Sequence, residues 1–567
     1  MADVKLFGRW MRTFPYLQQV DRVDVFAPDG TQESRPTFLH QPAELTYDDH
    51  GYELLATTGK PLYAVRYTPK RTGRFRYRAY AGEKIMEEGG FQCLPSTNPG
   101  YVLIDASSTQ YCIYTRGTPY VPIGLCMAGP VLYPLPAGGE GEHFETGEAW
   151  GTLGAAEYER WFRLLAENGG NFARVWLSHP YFNAEAEVAG EVDPAAFVRL
   201  DAVVEHARTY GIRLKLCFDH FRTFEPGSYF SRVLRHPDDG RKPESVNAWL
   251  RSTTWRELWL KKVKAYTHRY AGDPVVMAWE LWNEMDCIDG EWDLILDWTT
   301  AMLKEVKLLA PQHLVTNSLG SFDHEADIET YEALKIVEME IQQVHRYLDQ
   351  GAPWEICRED PVALSIDAVR RVRRQGRPTL LAETGAVNDR HTGPFRYYRT
   401  DNRGILFNDT TFPAFFAGAA GPGQIWHWDE YVDQKDLWRF YKPFAALVDG
   451  VRFGLENFTP FDLSNDQTWF LCLRGAGHVL GWLRNKADSW HAVLRDGQTP
   501  PLLEGQAFDL SDLKLREGEV ELFWPWADEP AEPASGEAVL ADGQLRLPPF
   551  RYGMFVRIGT KLPTRKE

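Results

Sequence analysis

A chain of 567 residues is too long for one ordinary core, so two to four domains are expected, one of them large. Its formal net charge of -17 excludes nucleic acid and an anionic membrane surface as partners, because both need a basic face. An aromatic share of 13% is high; it fills cores first, and its surplus suits a neutral ligand with flat apolar faces, such as a sugar.

Residues 1–115 are strand-rich. VDVFAPDG reads as a strand and its turn, and PLYAVRYTPKRTGRFRYRAYAG alternates bulky and polar residues around a turn, as a hairpin with one buried face does. An N-terminal β-sandwich is predicted there. The first residues lack an apolar core of signal-peptide length, and no run is long enough to span a membrane, so a cytoplasmic location is expected. The seven cysteines show neither CxxC nor CxxxxH spacing, which predicts buried free thiols and no structural zinc.

From 116 to 447 the pattern changes to strands alternating with helices. PIGLCMA, AAEYERWFRLLAENG, NFARVWL, FVRLDAVVEHARTYG and IRLKLCF follow in order, with a glycine closing each helix. The strands continue as VVMAWELW, HLVTNS, MEIQQVH, PTLLAE and GQIWHW. Eight strands predict a (β/α)8 TIM barrel, an α/β fold. Residues 448–567 return to short strands (TWFLCLR, VLGWLR, VELFWPW, QLRLPPF, GMFVRIG), which predict a C-terminal β-sandwich. WADEPAEPASGEA is read as a loop within it, and TKLPTRKE as a solvated tail.

Catalytic groups of such a barrel lie where the strands end, because those side chains share one bowl. Strand four ends in Asn283 and Glu284, and strand seven ends in Glu383. The two strands face each other across the mouth, so the two carboxylates can converge. Retaining glycoside cleavage needs such a pair, one acid for the leaving oxygen and one nucleophile for the anomeric carbon, roughly 5 Å apart. Asp219 and His220 close strand three and are candidates for sugar hydroxyls, with loop capping by Asp219 as the alternative. Glu280, four residues before Glu284, is expected to partner a buried arginine or amide. No His/Asp/Glu set has metal-ligand spacing along the chain, so neither metal nor cofactor is expected.

ELWNE and AETG resemble the acid/base and nucleophile motifs of the clan A retaining glycoside hydrolases, a superfamily that includes cellulases, β-mannanases and β-galactosidases. NGGNFARVWL, RYAGDPVVMAWELWNEMD, QVHRY, LLAETG and IWHWDEYVD are most similar to its β-glycanases with an immunoglobulin-like domain before the barrel and a small β-sandwich after it. The resemblance implies Glu284 as acid/base and Glu383 as nucleophile. It implies that Asn283 bonds the sugar 2-hydroxyl, that Arg174 keeps the nucleophile ionised, that the Tyr347 hydroxyl bonds the nucleophile and that His345 positions the acid/base or the sugar. Trp426 and Trp428 resemble the platform under the sugar; strand alternation puts both on one face and leaves the choice between them open, with Trp426 favoured. The chain departs from the clan's pattern in having Met285 where proline commonly follows Asn-Glu, and in His427.

The expected activity is metal-independent, retaining hydrolysis of short β-linked oligosaccharides, with β-mannosides or β-glucosides first. Two alternatives stay open: hydrolysis of a less usual terminal glycoside such as apiose or arabinose, and a non-catalytic carbohydrate-binding barrel. The expected partner is an oligosaccharide, and a homo-oligomer is left open.

Overall fold

The computed structural model describes residues 2–5, 8–135, 142–143, 149–185, 187–225 and 234–559. Arg213–His220 and Val276–Asn283 are buried along their whole length, as strands covered on both faces must be, and they pair in parallel. They are the third and fourth strands of a closed parallel barrel. The others, in chain order, are Gly124–Cys126, Phe172–Trp176, Leu314–Thr316, Gln342–His345 and Thr379–Glu383, with a short extended segment at Ile425 as the eighth. The Glu340 amide donates to the Val315 carbonyl (3.0 Å) to join strands five and six, and the Cys126 amide donates to the Ile425 carbonyl (3.0 Å) to close the ring.

The connecting helices follow from pattern and caps. Ala155–Glu167 buries Tyr158, Trp161, Phe162 and Leu165, an apolar stripe at helical spacing. Phe197–Tyr210 stops at Gly211, whose φ of +73° lets the chain turn back into strand three at little steric cost. Pro361–Val372 begins with proline at its first position, and the Asp360 carboxylate caps the Val362 and Ala363 amides. Among the described residues no helix is long and apolar enough to cross a membrane. All seven cysteines are free, six of them buried as expected; Cys287 is exposed.

Before the barrel, besides the pair Ala43–Tyr47 and Glu53–Thr57 and the three short strands Val102–Ile104, Cys112–Tyr114 and Pro119–Tyr120, lie two larger sheets. One orders its strands Ala2–Lys5, Lys84–Leu94, Gly73–Ala81, Arg22–Phe26 and Gln32–Pro36; the other orders them Trp10–Pro15, Leu62–Tyr67 and Phe38–His40. Trp10, Phe14, Val65 and Tyr67 of the second meet Val23, Val25, Phe75 and Phe91 of the first in one buried cluster. Charged groups, not only apolar ones, fasten this N-terminal region to the barrel. Arg66 makes a two-pronged bond to Asp201 (2.6 and 2.7 Å), and Glu53 accepts from the Ala155 amide (2.7 Å), the Tyr181 hydroxyl (2.8 Å) and Arg199 Nε (3.1 Å). Burial opposes charge on Asp201, yet Arg269 and Arg66 outweigh it and hold the carboxyl well below its usual range.

After the barrel a five-stranded sheet runs in the order Thr459–Asp462, Thr468–Arg474, His478–Asn485, Gly553–Gly559 and Glu519–Phe523. Its Phe555 packs edge-on against Phe412 of the barrel (5.0 Å), and buried Arg484 bonds Asp409 of the barrel (2.8 Å) and Asp488 (2.7 Å). The acid-rich segment after Trp526 contains no strand before Val539. It is tied down all the same: the Trp526 indole donates to the Arg403 carbonyl (2.9 Å) and Glu532 accepts from the Tyr552 amide (2.7 Å). The predicted tail TKLPTRKE lies outside the described residues.

Candidate active site

Arg174 stands at the centre of the barrel mouth, wholly buried on strand two. A buried guanidinium persists only when its donors are satisfied and its charge is matched. Its Nε and Nη2 clasp the two oxygens of Glu280 (2.7 and 2.9 Å), Nη2 also donates to Asn283 Oδ1 (2.6 Å), and Nη1 donates to Glu383 Oε1. Lys215, on strand three, lies 3.5 Å from Glu280 and donates to Gln343 Oε1 on strand six. Two cations thus face two carboxylates, and the expected role of Glu280 as the partner of a buried arginine is what this geometry displays.

Glu383 ends strand seven beside this network. Its second oxygen accepts from the Tyr347 hydroxyl (2.5 Å), and His345 Nδ1 lies 3.6 Å away. Burial raises the cost of charging it, but His345, Arg174 and the Tyr347 hydroxyl together hold the carboxyl below its usual range. A carboxyl group in this setting stays ionised as pH falls toward the ordinary carboxylate range. If Glu383 is the group whose ionisation sets the acid limb of kcat/KM, removing one donor must move that limb upward. A Tyr347→Phe enzyme is therefore expected to lose activity at higher pH on the acid side than the wild type, with the alkaline limb in place. Superimposable acid limbs in the two pH profiles would separate Tyr347 from the charge on Glu383.

Glu284 takes its place from the bend that ends strand four. The residue adopts left-handed backbone angles (φ +56°, ψ +57°), uncommon for a side chain with a Cβ, and heads a single 3-10 turn, Met285–Cys287. Ser318, beyond strand five, holds the bend: its hydroxyl accepts from the Glu284 amide (3.2 Å) and its carbonyl from the Met285 amide (3.1 Å). His345 Nδ1 meets Glu284 Oε1 at 2.9 Å. His345 Nε2 is buried without a partner among the described residues, so the ring reaches the two carboxylates through Nδ1.

The strand-eight tryptophans part company. Trp426 is half-buried and leans on Trp176 (4.9 Å, 40°), which leaves it surface at the mouth, whereas Trp428 is buried and meets Trp161 edge-on (6.1 Å). The two rings meet edge-on at 5.7 Å, and past His427 the chain leaves strand geometry for a π-helical segment, Trp428–Asp433. Strand three ends in Asp219 and His220. The Asp219 carboxylate is buried and spent on Lys262 (2.7 and 2.9 Å) and the Trp259 indole (2.7 Å), and His220 is buried against Trp176 with Nδ1 3.1 Å from Ser178 Oγ. Asp219 thus supports the wall through Trp259 and Lys262, and His220 stands against Trp176, which in turn carries Trp426.

Folding also assembles two potential donor sets that spacing along the chain does not reveal. Atoms of Glu284, His345 and Glu383 lie within 4.8 Å of one another, and so do atoms of Asp323, Asp349 and His391. In the first set Arg174 and Tyr347 already occupy both oxygens of Glu383, which leaves little for an ion. The residues that sequence reasoning did not single out are Lys215, Ser318, Gln343, Asp349 and His391. Asp349 alone carried a signal, standing two positions past Tyr347 and therefore on the same side of the chain.

Residues 137–406 match the family Cellulase (glycosyl hydrolase family 5), a stretch that spans strands two to seven and contains Arg174, Asn283, Glu284, His345, Tyr347 and Glu383. Mannan endo-1,4-beta-mannosidase 4 of Oryza sativa subsp. japonica is 30% identical over 175 residues, which are 28% of this chain and 37% of that protein. Mannan endo-1,4-beta-mannosidase A of Podospora anserina is 23% identical over 256 residues, 40% of this chain and 64% of the other. The chain therefore spans less than two thirds of the length of these relatives. A protein of Bacteroides vulgatus ATCC 8482, provisionally designated a glycoside hydrolase, shares the fold over 99% of this chain and 100% of its own, with a TM-score of 0.57 and 16% identity.

Proposed function

We propose that this chain is a retaining β-glycoside hydrolase that cleaves short β-linked oligosaccharides, β-mannosides first and β-glucosides second. One observation carries the reading: an oxygen of Glu284 and an oxygen of Glu383 lie within 4.8 Å of each other. Retaining enzymes hold their carboxyl groups about 5 to 5.5 Å apart, whereas inverting ones leave roughly 6.5 to 9.5 Å for a water. Glu383, kept ionised by Arg174 and Tyr347, attacks the anomeric carbon while Glu284 gives its proton to the departing oxygen. Glu284 then takes a proton from water, which releases the sugar from Glu383. Asn283, its carbonyl end fixed by Arg174, presents its amide hydrogens to the 2-hydroxyl, and Trp426 supports the sugar ring.

The mannan-hydrolysing relatives favour β-mannan fragments as substrates. An intact carboxylate pair speaks against a binding-only barrel. We also propose that the barrel spans 116–447 between an immunoglobulin-like β-sandwich (1–115) and a second β-sandwich (448–567), and that the protein works in the cytoplasm, a reducing setting that suits seven unpaired cysteines.

The test is a panel of chromogenic β-glycosides followed by β-1,4-linked oligosaccharides, with the product anomer read by proton NMR in the first minutes. The β anomer is expected to appear first and to mutarotate later. An initial α product would mean inversion, and no turnover across the panel would leave the binding reading in its place.

A further inference from the structure

Beside Glu284 the loops after strands five, six and seven build a second polar cluster. Asp349 is buried; its Oδ1 accepts from the Gly351 amide (2.7 Å) and its Oδ2 meets His391 Nδ1 at 2.9 Å. His391 Nε2 is 3.2 Å from Ser321 Oγ, so both ring nitrogens are engaged, and the ring stands edge-on to Tyr347 at 5.3 Å. Burial disfavours charge on His391, but the bond to Asp349 prevails and raises its pKa above the ordinary value. Asp323 completes the group. Its carboxylate is half-buried, lies within 4.8 Å of donor atoms of Asp349 and His391, and meets no protein hydrogen-bond donor among the described residues.

We propose that Asp323, backed by the Asp349–His391 pair, is a binding site for hydroxyl groups of the sugar residue that leaves. This deepens the glycosidase reading and rests on it. A partly desolvated carboxylate without a donor gains most from a ligand that supplies O–H groups, and a neutral polyol supplies them without adding charge. Position selects which sugar. In the proposed reading Trp426 on strand eight, packed on Trp176 of strand two, supports the sugar that Glu383 attacks. Strands five and six stand across the ring from strands one and two, so their loops meet the other half of the substrate, next to the residue that protonates the departing oxygen.

A divalent cation is the competing occupant, since two carboxylates and an imidazole converge here. The engaged nitrogens of His391 argue against it: its Nδ1 proton, shared with Asp349, already stands where a metal would.

The test compares hydrolysis of a p-nitrophenyl β-glycoside, whose leaving group has no sugar hydroxyls, with that of a β-linked tetrasaccharide. In Asp323→Asn the ratio of kcat/KM for tetrasaccharide over aryl glycoside is expected to fall roughly 10- to 100-fold, the worth of hydrogen bonds to a charged group. His391→Asn, whose asparagine tolerates the left-handed backbone at this position (φ +55°), should lower the same ratio. An unchanged ratio in both variants overturns the proposal. If the wild type hydrolyses neither substrate, the glycosidase reading fails by itself. Calorimetric titration of the tetrasaccharide then still decides the site, weaker binding by Asp323→Asn supporting it and equal binding refuting it. Zinc alone binding the wild type at one equivalent, and not Asp323→Asn, would make this a cation site instead.

Discussion

Glu383→Ala is expected to lower hydrolysis on the order of 10⁴- to 10⁶-fold, the loss seen when a covalent nucleophile is removed. Added azide should restore turnover of an activated aryl β-glycoside and give a glycosyl azide of α configuration. The reasoning is geometric. Truncation opens a hole beneath the anomeric carbon, on the face opposite the leaving group, and a small anion entering it attacks once, with inversion. Arg174 is not stranded by the change, because it keeps its two-pronged bond to Glu280 and its bond to Asn283, so the site should hold its shape. Circular dichroism and the melting temperature would check that. A β-azide would instead exchange the two roles, since a vacancy at the acid/base admits azide after the glycosyl-enzyme has formed.

Some of this site could be read from the chain and some could not, and the division has a physical cause. Glu284 and Glu383 were legible because each ends an apolar run of strand length, and in an eight-stranded parallel ring the ordinal positions four and seven fix where such ends meet. Glu280 was legible because alternation along strand four puts it on the side of Glu284, within a barrel that tolerates no unpaired carboxylate. The partner of Asp219 was not legible. Lys262, on the helix Thr253–Tyr270, claims its carboxylate, and nothing near Asp219 in the sequence announces that lysine. The choice between Trp426 and Trp428 stayed open in the sequence, because their difference in burial depends on the π-helical turn that begins at Trp428. His391 sits in a loop with no periodicity to mark it, and its meaning comes only from Asp349 and Ser321, brought beside it by the parallel pairing of Leu348 and Asp349 with Ala386 and Val387. Roles set by one strand's own pattern could be read in advance, whereas roles set by a partner on another loop had to wait for the fold.

Glu284→Gln is expected to discriminate between substrates by their leaving groups. Departure of a sugar alkoxide requires a proton in the transition state, and general acid catalysis is worth roughly 10² to 10⁴ in rate, so unactivated oligosaccharides should slow by about that factor. A dinitrophenyl glycoside carries a leaving group stable as its anion, and its first step needs no such help. The second step does, because water attacking the glycosyl-enzyme must surrender a proton to the same side chain acting as base. With the first step spared and the second impaired, the covalent intermediate should accumulate: an initial burst of dinitrophenol, and intact-protein mass spectrometry showing one added sugar on Glu383. Glutamine suits the experiment because its amide can still meet His345 Nδ1, as Glu284 Oε1 does at 2.9 Å, so the left-handed bend at the end of strand four and its Ser318 contacts should survive. External azide should then yield the β-azide, the opposite configuration from that expected for Glu383→Ala. Wild-type rates on oligosaccharides, with no burst and no adduct, would reduce Glu284 to a residue that merely turns the chain where strand four ends.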